Sequence, residues 1–145
     1  MQISKKGIKL LHDREGLRLK PYLDTKGIPT IAFGNTFYAN GKKVTMLDKP
    51  LTMSEASKLG DVILGKFVES VDKAITSCVN QNQFNACVSF AYNIGINGFR
   101  GSLALKLINV NPNNKAIGAA FLNWSKPIEI VDRRKSEVKQ YFENV

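Results

Sequence analysis

Residues 12–36 read His12-Asp13-Arg14-Glu15-Gly16-Leu17-Arg18-Leu19-Lys20-Pro21-Tyr22-Leu23-Asp24-Thr25-Lys26-Gly27-Ile28-Pro29-Thr30-Ile31-Ala32-Phe33-Gly34-Asn35-Thr36. The punctuation of this stretch changes the backbone twice. Upstream, Ser4 can cap a first helix with Ile8 and Leu11 on its apolar face, and Gly16 is placed to take the left-handed position that ends it. Glu15 is therefore expected at a helix end. Between Leu17 and Thr45, Pro21, Asp24-Thr25-Lys26-Gly27 and Asn40-Gly41 are turn chemistry. Extended segments, Leu19 to Leu23 and Ile28 to Phe33, lie among them, which predicts a small antiparallel hairpin unit.

Beyond the hairpin the pattern becomes helical. Thr52-Met53-Ser54-Glu55 is a capping box, and Leu59, Ile63, Phe67, Val71, Ala74 and Cys78 follow at helical spacing, so a long helix is expected over about 53–79. Shorter helices are expected with Phe84, Cys87, Val88 and Ala91 on one face, from near Ser102, with Ile117, Ala120, Phe121 and Trp124 on another face, and with Val131, Val138 and Phe142. Gly95, Gly98, Gly101 and Asn111-Pro112 mark the breaks. The fold class read from this is α+β and mostly helical. It is a single domain over 1–145, with a hairpin lobe at about 17–53, a connecting helix, a helical lobe of 80–145 plus 1–15, and a cleft between the lobes as the place for a ligand.

Composition narrows the function. The chain has 145 residues, and 43% of them are hydrophobic, enough to bury a core and to exclude disorder. Cys78 and Cys87 are too few for a disulfide framework or a structural zinc site, and read as two buried free thiols of a reducing compartment. Lys5, Lys6 and Lys9 interrupt the apolar N-terminus, so no signal peptide is expected. The uncharged stretch Ile75–Phe99 is broken by Asn80, Gln81, Asn82, Gln83 and Asn85, which argues against a transmembrane helix. The formal charge is +9, and no acidic residue occurs from Lys73 to Pro127, so any carboxylate chemistry must come from elsewhere in the chain. A basic surface suits an anionic partner, whether nucleic acid, membrane lipid headgroups or an anionic cell-envelope surface, and solubility alone accounts for it equally well. A nucleic-acid partner is not expected, because the basic residues are not interleaved with exposed aromatics and no recognition-helix pattern occurs.

Glu15, Asp24 and Thr30 are the candidate chemical groups. A carboxyl at a helix end, an Asp entering a tight turn and a Thr on the returning strand converge at the mouth of one hairpin. Glu15 lies near Leu11, Leu17 and Tyr22, surroundings that favour a neutral carboxyl. Asp24 lies in a wet turn with Thr25 and Lys26, surroundings that favour an ionised one. One proton donor and one base is the pairing that glycosidic cleavage requires. Read singly, Glu15 is a solvated helix end, Asp24 a turn former and Thr30 a strand residue. His12 has no ligand company at metal spacing and reads as a helix-surface or capping residue.

These residues sit in a wider pattern. Glu15-Gly16-Leu17, Tyr22-x-Asp24, Gly27-x-Pro29-Thr30-Ile31 and Gly34-x-Thr36 form one block, and Thr52-x-x-Glu55-Ala56 a second. Gln81-x-Gln83-Phe84-x-Ala86-x-Val88-Ser89-Phe90, Asn93-x-Gly95, Gly98-Phe99, Ser102-Leu103, Trp124 and Arg133-Arg134-x-x-Glu137 continue it. In this the chain resembles the phage-type lysozymes of glycoside hydrolase family 24, whose Glu-x8-Asp-x5-Thr spacing is met by Glu15, Asp24 and Thr30. Two departures stand out. Ala32-Phe33-Gly34-Asn35-Thr36 stands where the family usually has Gly-Tyr-Gly-His-Thr, and the segment between Trp124 and Arg133 is shorter than the family's Gly-rich connection.

The resemblance implies a lysozyme-like fold and hydrolysis of the β-1,4 bond between N-acetylmuramic acid and N-acetylglucosamine in peptidoglycan glycan strands. Glu15 would be the general acid, Asp24 the base that activates water, and Thr30 the group that holds that water, with inversion expected. Thr36, Tyr92 and Ser102 match positions that line the sugar cleft; Tyr92 could equally pack in the core and Ser102 cap a helix. No metal or organic cofactor is indicated. The family also implies a monomeric endolysin held in the host cytoplasm and released to the wall through a holin lesion. Two other classes compete: a lysozyme-like protein that binds the wall or cuts by transglycosylation, and a small basic nucleic-acid-binding domain.

Overall fold

The computed structural model describes residues 1–144. Its elements run α1 (Lys5–Glu15), β1 (Arg18–Leu23), β2 (Pro29–Ala32), α2 (Met53–Ala74), α3 (Gln81–Ile94), α4 (Ile96–Arg100), α5 (Leu103–Val110), α6 (Ala116–Leu122) and α7 (Val131–Phe142), with a 3-10 turn at Ile128–Ile130. The chain is mostly helical with one two-stranded antiparallel sheet. Among the described residues no helix is long and apolar enough to cross a membrane. The fold divides into two compact units, Lys9–Lys66 and Met1–Ile8 with 67–145, so α1 from Lys9 onward groups with the hairpin and the first part of α2.

In the hairpin unit, β1 and β2 pair with Tyr22 opposite Thr30, Leu23 opposite Pro29 and Arg18 opposite Ala32. The register slips between Arg18 and Tyr22, a stretch that includes Pro21, which has no N–H to give to a ladder. Ile31, Ala32, Val44, Ala56 and Leu59 form the buried core of this unit, with Leu19, Phe33, Tyr38, Leu51 and Ile63 packed around it. The second strand is shorter than the Ile28–Phe33 reading. Ala32 takes a positive φ of 58°, and Ile31 and Asn35 exchange backbone hydrogen bonds at 2.9 Å, closing a tight loop that ends the strand.

The α2 start follows the capping box: the Thr52 N–H donates to Glu55 Oε1 at 3.0 Å, and the Glu55 N–H donates to Thr52 Oγ1 at 3.1 Å. Its end differs from the sequence expectation. The helix stops at Ala74, not near residue 79, because Asn109 of α5 holds its terminus from both sides. The Asn109 amide donates to the Ala74 carbonyl at 3.1 Å and its oxygen accepts the Thr76 N–H at 2.9 Å. Cys78 therefore lies off the helix and is exposed, correcting the reading of two buried thiols; only Cys87 is buried.

The other unit is built around α3, which is buried from Asn82 to Ala91 on every face rather than on one. Asn80 and Gln83 form a reciprocal cap at its start, at 2.8 and 2.9 Å. Phe90 stacks on Phe121 of α6 at 4.3 Å between centroids and meets Phe99 of α4 edge-on at 6.2 Å. Each such buried ring contributes about 1.5–3 kcal/mol by removal from water. Ser4 caps α1 as expected, accepting the Gly7 N–H at 3.1 Å, and Asn85 of α3 donates to the same hydroxyl at 2.7 Å.

The buried side of α7 is not the expected Val131, Val138 and Phe142 stripe but Arg134, Glu137, Gln140 and Tyr141. Charged residues go inside because they are paired there. Arg134 and Glu137 form an ion pair with neither side chain exposed, Glu137 accepts the Ser89 hydroxyl of α3, and the Arg133 guanidinium reaches the Ser89 carbonyl at 3.0 Å. Arg134 also donates to Asn93 and, at 3.0 Å, to the Trp124 carbonyl. Trp124 lies beyond α6 and is partly exposed.

Candidate active site

The helix end that carries Glu15 is made by Gly16, whose φ is 71° and whose N–H donates to the His12 carbonyl at 2.7 Å. Glu15 is the last residue of α1 and β1 begins three residues later, so its carboxyl sits beside the hairpin. It lies against Gly34: a Cβ on that glycine would run into Glu15 Oε2 and come within 3.2 Å of the carboxyl carbon.

The turn after β1 locks Asp24. Its N–H donates to the Ile28 carbonyl at 3.0 Å, and its Oδ1 accepts the N–H groups of Lys26 at 2.8 Å and Ile28 at 2.9 Å. Oδ1 is thus saturated by backbone donors, and Oδ2 is the oxygen left for chemistry. On the returning strand, the Thr30 hydroxyl donates to the Ile28 carbonyl at 2.8 Å, so its proton is committed and Oγ1 presents lone pairs only. Thr30 is buried.

Tyr22 and Thr30 are directly opposed and share a face of the sheet, and Asp24 follows in the turn two residues beyond Tyr22. Tyr22 is also the electrostatic link to Glu15. Burial first, then the Glu15 and Asp24 carboxylates, push its hydroxyl above the usual tyrosine range, against the opposing Arg18, whose guanidinium lies 4.6 Å over the Tyr22 ring. The hydroxyl therefore stays protonated at neutral pH.

Of the sequence-derived site residues, Glu15, Asp24, Thr30 and Thr36 belong to the hairpin unit, and Tyr92 and Ser102 to the other. The Thr36 carbonyl accepts the Val44 N–H at 2.9 Å. Tyr92 packs its ring on Phe67 at 5.0 Å. Ser102 caps α5: its hydroxyl donates to the Phe99 carbonyl at 2.7 Å and accepts the Leu105 N–H at 3.1 Å, and the residue is 3% exposed.

Sequence reasoning passed over three residues. His12 is only partly on the helix surface: it is half-buried on α1, with its ring stacked on Phe33. Asn35, where the family has His, is buried and accepts the Phe33 N–H on its Oδ1 at 3.1 Å, so it braces the loop that touches Glu15. Gly34 was legible only as a motif letter; the close approach that requires it is tertiary.

One two-stranded hairpin in a mostly helical chain, with a carboxyl at the preceding helix end and an Asp and a Thr on the hairpin itself, is the class of arrangement found in lysozyme-like folds. The phage lysozyme family model matches residues 12–137, and the chain belongs to that family. Among its relatives, the endolysin of Salmonella phage P22 is 39% identical over 145 residues, spanning 94% of this chain and 95% of that one. The endolysin from Escherichia coli O157:H7 phage FAHEc1 superposes with a TM-score of 0.89 at 34% identity, covering 100% of this chain and 96% of that one. The muramidase domain of SpmX from Asticaccaulis excentricus gives a TM-score of 0.80 at 29% identity, covering 99% of both.

Proposed function

We propose that Glu15, Asp24 and Thr30 are the catalytic groups of this endolysin, a glycoside hydrolase that cuts the peptidoglycan backbone between N-acetylmuramic acid and N-acetylglucosamine. Endolysin and muramidase activity follow from family membership; the roles of individual residues are our reading.

The observation that carries it is the disposition of acceptors on the hairpin. A water that gives one proton to Thr30 Oγ1 and the other to Asp24 Oδ2 has its own lone pair turned outward, toward an anomeric carbon. Asp24 takes the proton as attack proceeds, and Glu15 protonates the departing oxygen from the other side of the sugar. Direct attack by water inverts the anomeric centre and asks for carboxyls about 6.5–9.5 Å apart. Thr36 and Tyr92 are read as sugar-binding residues on the strength of the family match. Ser102 is read with them, its hydroxyl reaching a sugar only if the α5 cap bonds open.

The reading extends to a monomer that meets the wall after a membrane lesion opens the way, supported by the endolysin names of its relatives. Co-expression with and without a holin, followed by culture turbidity, tests that step. For the chemistry, wild type, Glu15→Gln and Asp24→Asn are compared on purified sacculi. Glu15→Gln is expected to abolish lysis and Asp24→Asn to lower it at least about 100-fold, both with unchanged circular dichroism. Wild-type lysis by either variant would refute the role given to that residue. Mass spectra of the products separate hydrolysis, with reducing muramic ends, from transglycosylation, with anhydro ends, and proton NMR of the newly released anomer distinguishes inversion from retention.

A further inference from the structure

Two consecutive loop residues meet two residues of α1 that lie three positions apart. The Phe33 ring lies flat on the His12 imidazole, with 3.8 Å between centroids and 12° between planes. Gly34, the next residue, presses on the Glu15 carboxyl. His12 and Glu15 share one helix face at this spacing. The loop is held from its other sides as well. The edge of Phe33 fills the space above Gly60 of α2, where a Cβ would stand 2.9 Å from the ring, and the Phe33 N–H is bonded to Asn35. Nothing in the proposed chemistry uses His12 or Phe33, yet Phe33 adjoins the glycine that touches the acid and His12 lies three residues before it on α1.

We propose that the His12–Phe33 stack is a positioning clamp for Glu15: it fixes where the Phe33–Gly34 backbone crosses α1, and so the direction in which the carboxyl enters the sugar site. This rests on Glu15 being the acid. The clamp makes no bond to substrate, so its effect is on the geometry of proton delivery and not on the affinity for sugar. Removing the flat ring from either side lets Gly34 recede and gives the Glu15 carboxyl room to swing, which lowers the fraction of bound complexes in a reactive arrangement. Burial holds the His12 imidazole below its usual value, against the raising influence of Asp61 on α2 and Asp13 on α1, so the stacked ring is the neutral one at pH 7. A phenyl ring can stand in for it.

The test compares kcat and KM on soluble peptidoglycan oligomers for wild type, His12→Ala, His12→Phe and Phe33→Leu, with Val71→Ala, which is buried in the other unit, as a control for lost stability. The expected result is a fall of about tenfold in kcat for His12→Ala and for Phe33→Leu, with KM within about twofold of wild type. His12→Phe is expected to restore most of the loss, and Val71→Ala to lower the melting temperature without changing kcat at 25 °C. Wild-type kcat in either His12→Ala or Phe33→Leu overturns the clamp, as does an equal loss in His12→Phe and His12→Ala. Phe33→Leu keeps apolar volume over Gly60 and so reports even if His12→Ala fails to fold. An active Glu15→Gln variant would instead defeat the reading of Glu15 as acid, so the two failures are told apart.

Discussion

Hydrogen-bond direction, residue by residue, decides what the hairpin can do. Thr30 and Asp24 are ordinary strand and turn residues whose hydroxyl proton and Oδ1 are used up by local backbone partners, which leaves acceptor capacity on Thr30 Oγ1 and on Asp24 Oδ2. Their identities were legible from spacing and from the turn chemistry around them. The state of their lone pairs was not, because it depends on which carbonyl the Thr30 hydroxyl finds. Gly34 makes the same point from the side of sterics. Its φ is 76° and its missing Cβ is the space that Glu15 occupies. Gly34→Ala therefore meets two penalties: about 1–2 kcal/mol for a side chain in the left-handed region, and a displaced carboxyl. Lysis is expected to drop about 100-fold while the melting temperature falls only a few degrees, as read by turbidity and thermal denaturation of the same preparation.

The elements differ in how far local sequence controls them. The start of α2 is local: a Thr and a Glu three residues apart satisfy each other's N–H groups. The Thr52 N–H and hydroxyl hold the Glu55 carboxyl below its usual 4.5, so its contribution to stability is complete above about pH 4.5 and is lost as the pH falls through the lower folded value. The melting temperature of wild type is expected to decline over that acid window, and Glu55→Gln to shallow the decline. The end of α2 is not local, since Ala74 is the last helical residue only because Asn109 from α5 takes over the terminal hydrogen bonds. The orientation of α7 is likewise imposed from outside. A hydropathy pattern points Val131, Val138 and Phe142 inward, whereas a buried Arg134–Glu137 pair satisfied by Ser89, Asn93 and the Trp124 carbonyl turns the helix to another face. Breaking one partner strands the other charge, so Glu137→Ala is expected to cost about 3–5 kcal/mol by urea denaturation. Replacing both partners with Leu and Met should cost less than the single change.

For the molecule as a whole, charge sets association. Both units are basic, with ten Lys plus Arg against six Asp plus Glu in Lys9–Lys66 and eleven against six in the remainder. For a +9 protein the expectation is attraction to the carboxylates of the wall, screened by salt over about 8–10 Å at physiological ionic strength. Binding of the inactive Glu15→Gln variant to sacculi, measured by sedimentation, is expected to weaken steadily between 50 and 500 mM NaCl, a range chosen to shorten the screening length from about 14 to 4 Å. A salt-independent isotherm would show that the net charge serves solubility alone.

The sequence by itself determined the family, the fold class, the hairpin and its turns, the start of the long helix and the three candidate catalytic side chains. Each of these is written in residues close together along the chain, in caps, turn formers, apolar periodicity and fixed spacings. Only the tertiary structure decided where α2 ends, which face of α7 is buried, that Cys78 is exposed, and that His12 lies flat on Phe33 while Gly34 abuts Glu15. These outcomes turn on groups from distant segments satisfying one another's hydrogen bonds, charges and volumes. Such pairings carry no periodic signal, and they exist only once the chain has brought the partners into contact.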